Sequence, residues 1–217
     1  MFRKMDVTSS KTVFERNAII AEQAVGILDK YAPEDKGMLD SFAGREILTV
    51  EQYEANAGQH DETMKKAYRL QELAKQIGEN SAVIPKLEQQ MEALAPWKSF
   101  DLPLDFKGTK KSVAFIGSIQ EEISLEQLRE QLGALAPEAE TIDLNIVSSS
   151  KEQTCLFIVC AKGDADAVED ALKKLNFVKP PLSSLVPAKR QQQLEEELSK
   201  VKAEIAGAEK AIADMAP

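Results

Sequence analysis

The sequence predicts an α+β fold: a long antiparallel helical hairpin, coiled-coil-like, with a βαββαβ lobe inserted at its tip. Three observations carry this. Apolar residues alternate by threes and fours in two separate stretches, one mid-chain and one at the end. Between them lies a segment whose strand and helix patterns alternate in the order βαββαβ. The 217 residues are 43% apolar and 29% charged with 6% aromatics, a composition suited to helices with much exposed surface. The expected domains are stalk helices over 8–95 with a connector at 33–60, an inserted lobe over 96–186, and a returning stalk helix over 187–217.

Between Ser10 and Tyr31, Val13, Ile20 and Ile27 fall seven apart, with Ala24 and Tyr31 at helical spacing, predicting one amphipathic helix that ends before Pro33. The connector holds Gly37, Gly44 and Gly58, and its one local helix signal is the capping-box pattern Thr49-Val50-Glu51-Gln52. Leu70, Leu73, Ile77, Asn80, Ile84, Leu87, Met91 and Leu94 then follow a heptad seam without a slip. At ~1.5 Å rise per residue that seam is about 37 Å long. Asn80 at a core position suits register fixing, and Pro85, lacking an N–H, predicts a kinked or two-piece helix.

Leu194, Leu198, Val201, Ile205, Ala208, Ile212 and Met215 repeat the seam near the end, with Pro187 suited to the first turn. Glu196 before Lys200, Asp61 before Lys65 and Glu62 before Lys66 are i,i+4 pairs in the favourable order. Two such helices pair antiparallel only if the intervening chain returns to its starting point. Ser112 to Ile119 reads as a strand; Ser124 with Gln127 caps a helix whose Leu125, Leu128, Leu132 and Leu135 share a face. Thr141 to Val147 alternates as a half-buried strand, and Thr154 to Ala161 reads as a buried one. Val168, Leu172 and Leu175 mark a second inward helix face, and Asn176 to Lys179 a short last strand before Pro180-Pro181. This order is that of the ferredoxin-like sandwich.

Composition excludes much chemistry. Lys plus Arg number 27 against 36 Asp plus Glu, a formal charge of −9, and the basic residues do not cluster, which disfavours nucleic acid. His60, Cys155 and Cys160 are the only His and Cys residues, too few for a four-ligand zinc site. On one strand the two cysteines face opposite ways, roughly 17 Å apart at about 3.3 Å per residue, so no disulfide joins them. The longest apolar run is Cys155 to Ala161, far short of a membrane span, and Met1 to Asp6 opens no secretory signal. Gly108-Thr109-Lys110-Lys111 lacks the first glycine of a phosphate loop and reads as a turn before a strand. His60 has no neighbouring nucleophile, and Glu121-Glu122 and Glu195-Glu196-Glu197 read as solvated faces. The sequence assigns no catalytic, cofactor-binding or metal-ligating residue and no cofactor, and it identifies no partner-binding residue. Phe115 and Phe157 stand on the central strands without the basic and aromatic pattern of an RNA-recognition module. A small-ligand-sensing regulatory lobe on a coiled-coil scaffold stays open, since topology alone does not fix function.

The junction Leu94-Ala95-Pro96-Trp97-Lys98-Ser99-Phe100-Asp101-Leu102-Pro103-Leu104 stops the helix at Pro96 and offers Trp97 and Phe100 for burial against the hairpin tip. With Gly117 ending a strand, Leu172-Lys173-Lys174-Leu175-Asn176-Phe177 and Pro187 following in order, it resembles the N-terminal domain of subunit I of bacterial and archaeal V-type (A-type) ATPases. That family is the counterpart of eukaryotic V-ATPase subunit a, and its Leu-x-Pro-Trp element follows a long helix. The resemblance covers roughly residues 60 to 215.

The resemblance implies a non-catalytic stator element of a rotary, proton- or sodium-translocating ATPase. It also implies a lobe that docks the peripheral-stalk subunits E and G, and a soluble domain at the cytoplasmic face of a membrane-anchored protein. It implies neither a nucleic acid nor a small-molecule substrate. Family members usually begin with a strand and helix of a proximal lobe, whereas this sequence begins Met1-Phe2-Arg3-Lys4 and ends at Pro217. The chain is therefore expected to be part of a longer subunit. The family's membrane arginine and channel residues have no counterpart in it.

Overall fold

A computed structural model describes residues 7–33 and 49–216 of the chain. It contains six α-helices among the described residues: α1 (Val7–Tyr31), α2 (Val50–Gly58), α3 (His60–Leu94), α4 (Leu125–Leu135), α5 (Ala165–Lys174) and α6 (Pro187–Ala213). Three strands, β1 (Ser112–Ile119), β2 (Ile142–Ser149) and β3 (Thr154–Ala161), form one antiparallel sheet in the order β1-β3-β2. The chain divides into two compact units, one drawn from Met1–Ile84 with Lys200–Pro217, the other Pro85–Ser199. The fold is α+β, as the sequence predicts.

In the helical unit, the predicted seam residues Leu70, Leu73 and Ile77 of α3 are buried with Ile20 and Ala24 of α1 and Ala208 and Ile212 of α6. Asn17 lies beside His60 at 3.4 Å and Gln71 Nε2 donates to Gln23 Oε1 at 2.6 Å, so α1 runs parallel to α3. Asn80 Nδ2 donates to the Glu204 carboxylate of α6 at 3.0 Å. Lys66 meets Glu62 at 3.7 Å, one of the three predicted i,i+4 pairs.

Two expectations change here. Val13, expected on the inward stripe of α1, is 56% exposed. The reason is length: α3 begins only at His60, level with Asn17, so Val13 lies a turn short of any α3 partner. Of the kinked or two-piece helix expected at Pro85, the two-piece form is not seen: α3 is one helix from His60 to Leu94 with Pro85 inside it. Leu87 and Leu94 beyond Pro85 are buried, as are Leu73 and Ile77 before it, each in its own unit. The connector's capping box forms, with Thr49 N–H donating to Gln52 Oε1 at 2.8 Å and Gln52 N–H to Thr49 Oγ1 at 3.2 Å, and it opens α2. The rest of the connector expectation, residues 34–48, lies outside the described residues.

In the other unit the strand boundaries of β1 and β3 match the sequence reading residue for residue. Phe115, Leu144, Leu156, Ile158 and Cys160 project from one sheet face into a core closed by Leu128 and Leu132 of α4 and Val168 and Leu172 of α5. The Ser124–Gln127 capping box is complete and starts α4. Thr154, fully buried, is satisfied: its hydroxyl donates to the Glu121 carbonyl at 2.8 Å and accepts from Ile123 N–H at 3.1 Å. The fourth strand is reduced to one bridge, Ser118 with Val178, on the free edge of β1. Continuing that antiparallel register would set Pro180 opposite Ile116, and a proline cannot donate to a ladder.

Candidate interaction surfaces

No group of three or more His, Cys, Asp or Glu side chains among the described residues is arranged to hold a metal. His60 is not in a loop but is the first residue of α3, half-exposed, with Nδ1 3.3 Å from the Asp61 carboxylate. The cysteines face opposite sides of the sheet, as predicted, and both are free. Burial pushes both thiols up; a Ser148 hydrogen bond partly offsets this for Cys155, while Asp164 adds to it for Cys160. Both are therefore inert, protonated core residues at neutral pH. The Glu126 carboxyl is held below its usual range by the backbone N–H and Ser124 at the α4 N-terminus, which makes it part of that helix's cap. On the exposed face of α5, Lys173 donates to Asp170 at 2.9 Å, lowering the carboxyl and raising the ammonium. These are structural charges.

The junction segment decides what the sheet can do. Ala95–Trp97 forms a 3-10 turn after α3, and Trp97 is 3% exposed. The Trp97 and Phe100 rings meet edge to face at 6.1 Å, Phe100 lies 5.1 Å from Phe157, and Phe106 lies 6.5 Å from Phe157 on its other flank. Phe157 projects from the face opposite α4 and α5, so the segment that begins at Ala95 covers the second sheet face. Both faces of the sheet are thus occupied, one by helices and one by the junction. Phe115 is buried under the helices, so neither sheet aromatic is available to stack a base. The sequence placed Trp97 and Phe100 correctly as buried anchors; the sheet face they cover was not read from it, although Phe157, Phe106 and Phe100 are the signal that could have shown it.

Gly117 and Phe177, two separate pieces of the sequence resemblance, meet here. A Cβ at Gly117 would strike the Phe177 ring and the Val178 carbonyl, so only glycine lets the end of α5 close on β1. Asn176, at φ +55°, takes the left-handed position that ends the helix and turns Phe177 inward.

What remains are surfaces. On α1, Phe14 and Val25 are exposed at the ends of a stripe that includes Ala18 and Ala21. In the lobe-bearing unit, a groove of about 550 Å³ runs between Gln89, Gln90 and Leu94 of α3, Pro181 and Leu182, and Arg190 of α6, which donates to Gln90 at 3.2 Å. No helix among the described residues is long and apolar enough to cross a membrane.

No protein-family model matches the chain, and no curated protein matches it in sequence. Among solved structures it is similar to the cytoplasmic N-terminal domain of subunit I, homolog of subunit a, of V-ATPase. The TM-score is 0.50 and the identity 14%, over 95% of this chain and 65% of that one, so the chain spans under two thirds of the neighbour's length. At this identity the likeness is one of fold, and the chain has the α+β fold of that domain.

Proposed function

We propose that the chain is a non-catalytic stator part of a rotary, ion-translocating V-type ATPase. In this reading residues 8–95 and 187–217 are stalk helices, and residues 96–186 are a lobe that docks the peripheral-stalk subunits E and G at the cytoplasmic face of the membrane. The carrying observation is the fold likeness to the subunit I domain over 95% of the chain. The Leu-x-Pro-Trp junction with Trp97, Gly117 against Phe177, and Pro187 opening α6 support it, since each fixes part of the same architecture. A stator needs surfaces and stiffness rather than reactive groups, which fits the protonated thiols and the doubly covered sheet. The covered sheet faces also weigh against the rival reading, a ligand-sensing regulatory lobe.

The test is co-purification with subunits E and G of the same organism's rotary ATPase, with circular dichroism confirming that the chain is folded. A stoichiometric complex is expected. A folded chain that stays unassociated overturns the assignment, and a large thermal stabilisation by an amino acid or nucleotide would favour the regulatory reading.

A further inference from the structure

In the lobe-bearing unit, the groove of about 550 Å³ between the end of α3 and the start of α6 has a charge opposite to that of the chain. Lys86 and Arg190 line it and no Asp or Glu does, whereas the whole sequence carries −9. The two cations are held differently. Arg190, in the first turn of α6, has a side chain only 30% exposed, positioned by Gln90 at 3.2 Å, Gln193 at 3.4 Å and Glu197 at 3.5 Å. These contacts occupy three of the five guanidinium N–H groups, and the Glu197 contact, at the limit of hydrogen-bond length, neutralises the charge only in part. Lys86 has no hydrogen-bond or ion-pair partner among the described residues. The groove therefore keeps donors and positive charge for an incoming acceptor.

The rest of the lining is apolar. Leu94 is 6% exposed, and across from α3 stand Pro181 and Leu182. Leu182, at 79%, is the most exposed large apolar side chain among the described residues. It does not sit on a loose loop. Pro180 and Pro181 fix φ before it, and the Ser183 C=O after it accepts from the Asp105 N–H at 3.2 Å. The Ser183 hydroxyl accepts from the Leu185 N–H at 3.2 Å and donates to the Leu185 C=O at 3.0 Å, closing the turn that follows. A leucine is thus held out to water on a tied segment beside two cations. That pairing defines the occupant. The sign of the charge selects carboxylates, which an arginine and a lysine on different elements bind together. The apolar wall selects an aliphatic side chain beside them, which neither a bare phosphate nor a nucleic-acid backbone supplies. A second copy of the chain meets net repulsion, −9 against −9.

We propose that this groove binds an acidic segment of a partner protein, with carboxylates for Lys86 and Arg190 and a leucine-sized side chain packed on Pro181 and Leu182. The proposal stands independently of the stator assignment. The probe is a capped hexapeptide alternating glutamate and leucine, titrated into the ¹⁵N-labelled full chain. Beside it run a twin with glutamine for glutamate, a twin with alanine for leucine, and glutarate alone. The first peptide is expected to shift the Leu182 main-chain amide and the Gln89 and Gln90 side-chain amides, and each twin to bind about tenfold more weakly. Lys86→Glu, at an exposed helical position, is expected to weaken binding about fivefold with an unchanged circular dichroism spectrum. Equal affinity for the glutamine twin, or unchanged affinity in Lys86→Glu, overturns the charge recognition. Equal affinity for the alanine twin, or equal shifts with glutarate, makes the groove a site for small anions and overturns the segment. An absence of shifts at Leu182, Gln89 and Gln90 overturns the site itself.

Discussion

The two units bury their apolar residues in different ways. In the lobe-bearing unit the sheet is covered on both faces, and Leu128, Leu156, Ile158 and Val168 reach zero exposure. In the helical unit the core is a seam between helices, and Leu70, Leu73 and Ile77 retain 3–5%. Only Ile212 there is fully enclosed among the core residues described. A layered core has neighbours on every side that cannot collapse into a void, whereas a seam one side chain deep can close by small helix movements. The same substitution should therefore cost more in the layered core.

Leu156→Ala and Leu73→Ala test this directly. Leu156→Ala is expected to destabilise by about 4 kcal/mol and Leu73→Ala by about 2–3 kcal/mol, within the range for buried leucines. Trp97 is the only tryptophan and is buried against the sheet, so its fluorescence in a urea titration reports the first, while far-UV circular dichroism reports the second. A reversed order of the two costs would break the comparison.

Two glycines in contrasting surroundings, Gly117 and Gly78, sharpen it, because the same change should have opposite signs at the two. A methyl at Gly117 would strike the Phe177 ring and the Val178 main chain, and backbone yields less easily than a side chain end. Gly117→Ala is expected to cost about 2–3 kcal/mol and to free the Ser118–Val178 bridge, read as faster exchange of the Val178 amide. Gly78 in α3 has nothing within 4 Å of the corresponding position. Gly78→Ala should raise stability by about 1 kcal/mol through helix propensity alone, seen as a higher urea midpoint. Equal signs would mean that the packing difference is not what separates the units.

How much of this was legible in the sequence follows the same division. Strand limits at Ser112–Ile119 and Thr154–Ala161, both capping boxes and the α6 start at Pro187 could be read locally, because each depends on a few adjacent residues. Val13 was misjudged because its burial depends on where α3 begins, 47 residues later in the chain. The fourth strand was read too long because Asn176 to Lys179 has strand character, whereas only Val178 bridges to β1, at Ser118, and the prolines Pro180 and Pro181 follow within three residues. The cover formed by Phe100 and Phe106 over Phe157 likewise needs the sheet before its facing can be known.

The smallest effect is expected at Asn80. It occupies a heptad core position between Ile77 and Ile84, half-buried, and its amide donates to the Glu204 carboxylate at 3.0 Å. Asn80→Leu would extend the apolar seam, gaining about 1 kcal/mol for a side chain that becomes partly buried. It would lose a charge-assisted hydrogen bond worth about 0.5 kcal/mol at an exposed site and leave Glu204 to water, which solvates it at little cost. The net is a gain of about 0.5 kcal/mol, read as a small upward shift of the urea midpoint at unchanged slope. The polar pair costs stability and, in return, admits only one alignment of α3 with α6, because sliding either helix by a turn parts the amide from the carboxylate. Asn80→Leu should therefore be more stable and less specific: cysteines placed at 80-flanking exposed positions of α3 and at the neighbouring turns of α6 should cross-link in more than one pairing. A variant that is less stable than the parent, and still cross-links in a single pairing, would show that the seam holds its register through packing alone.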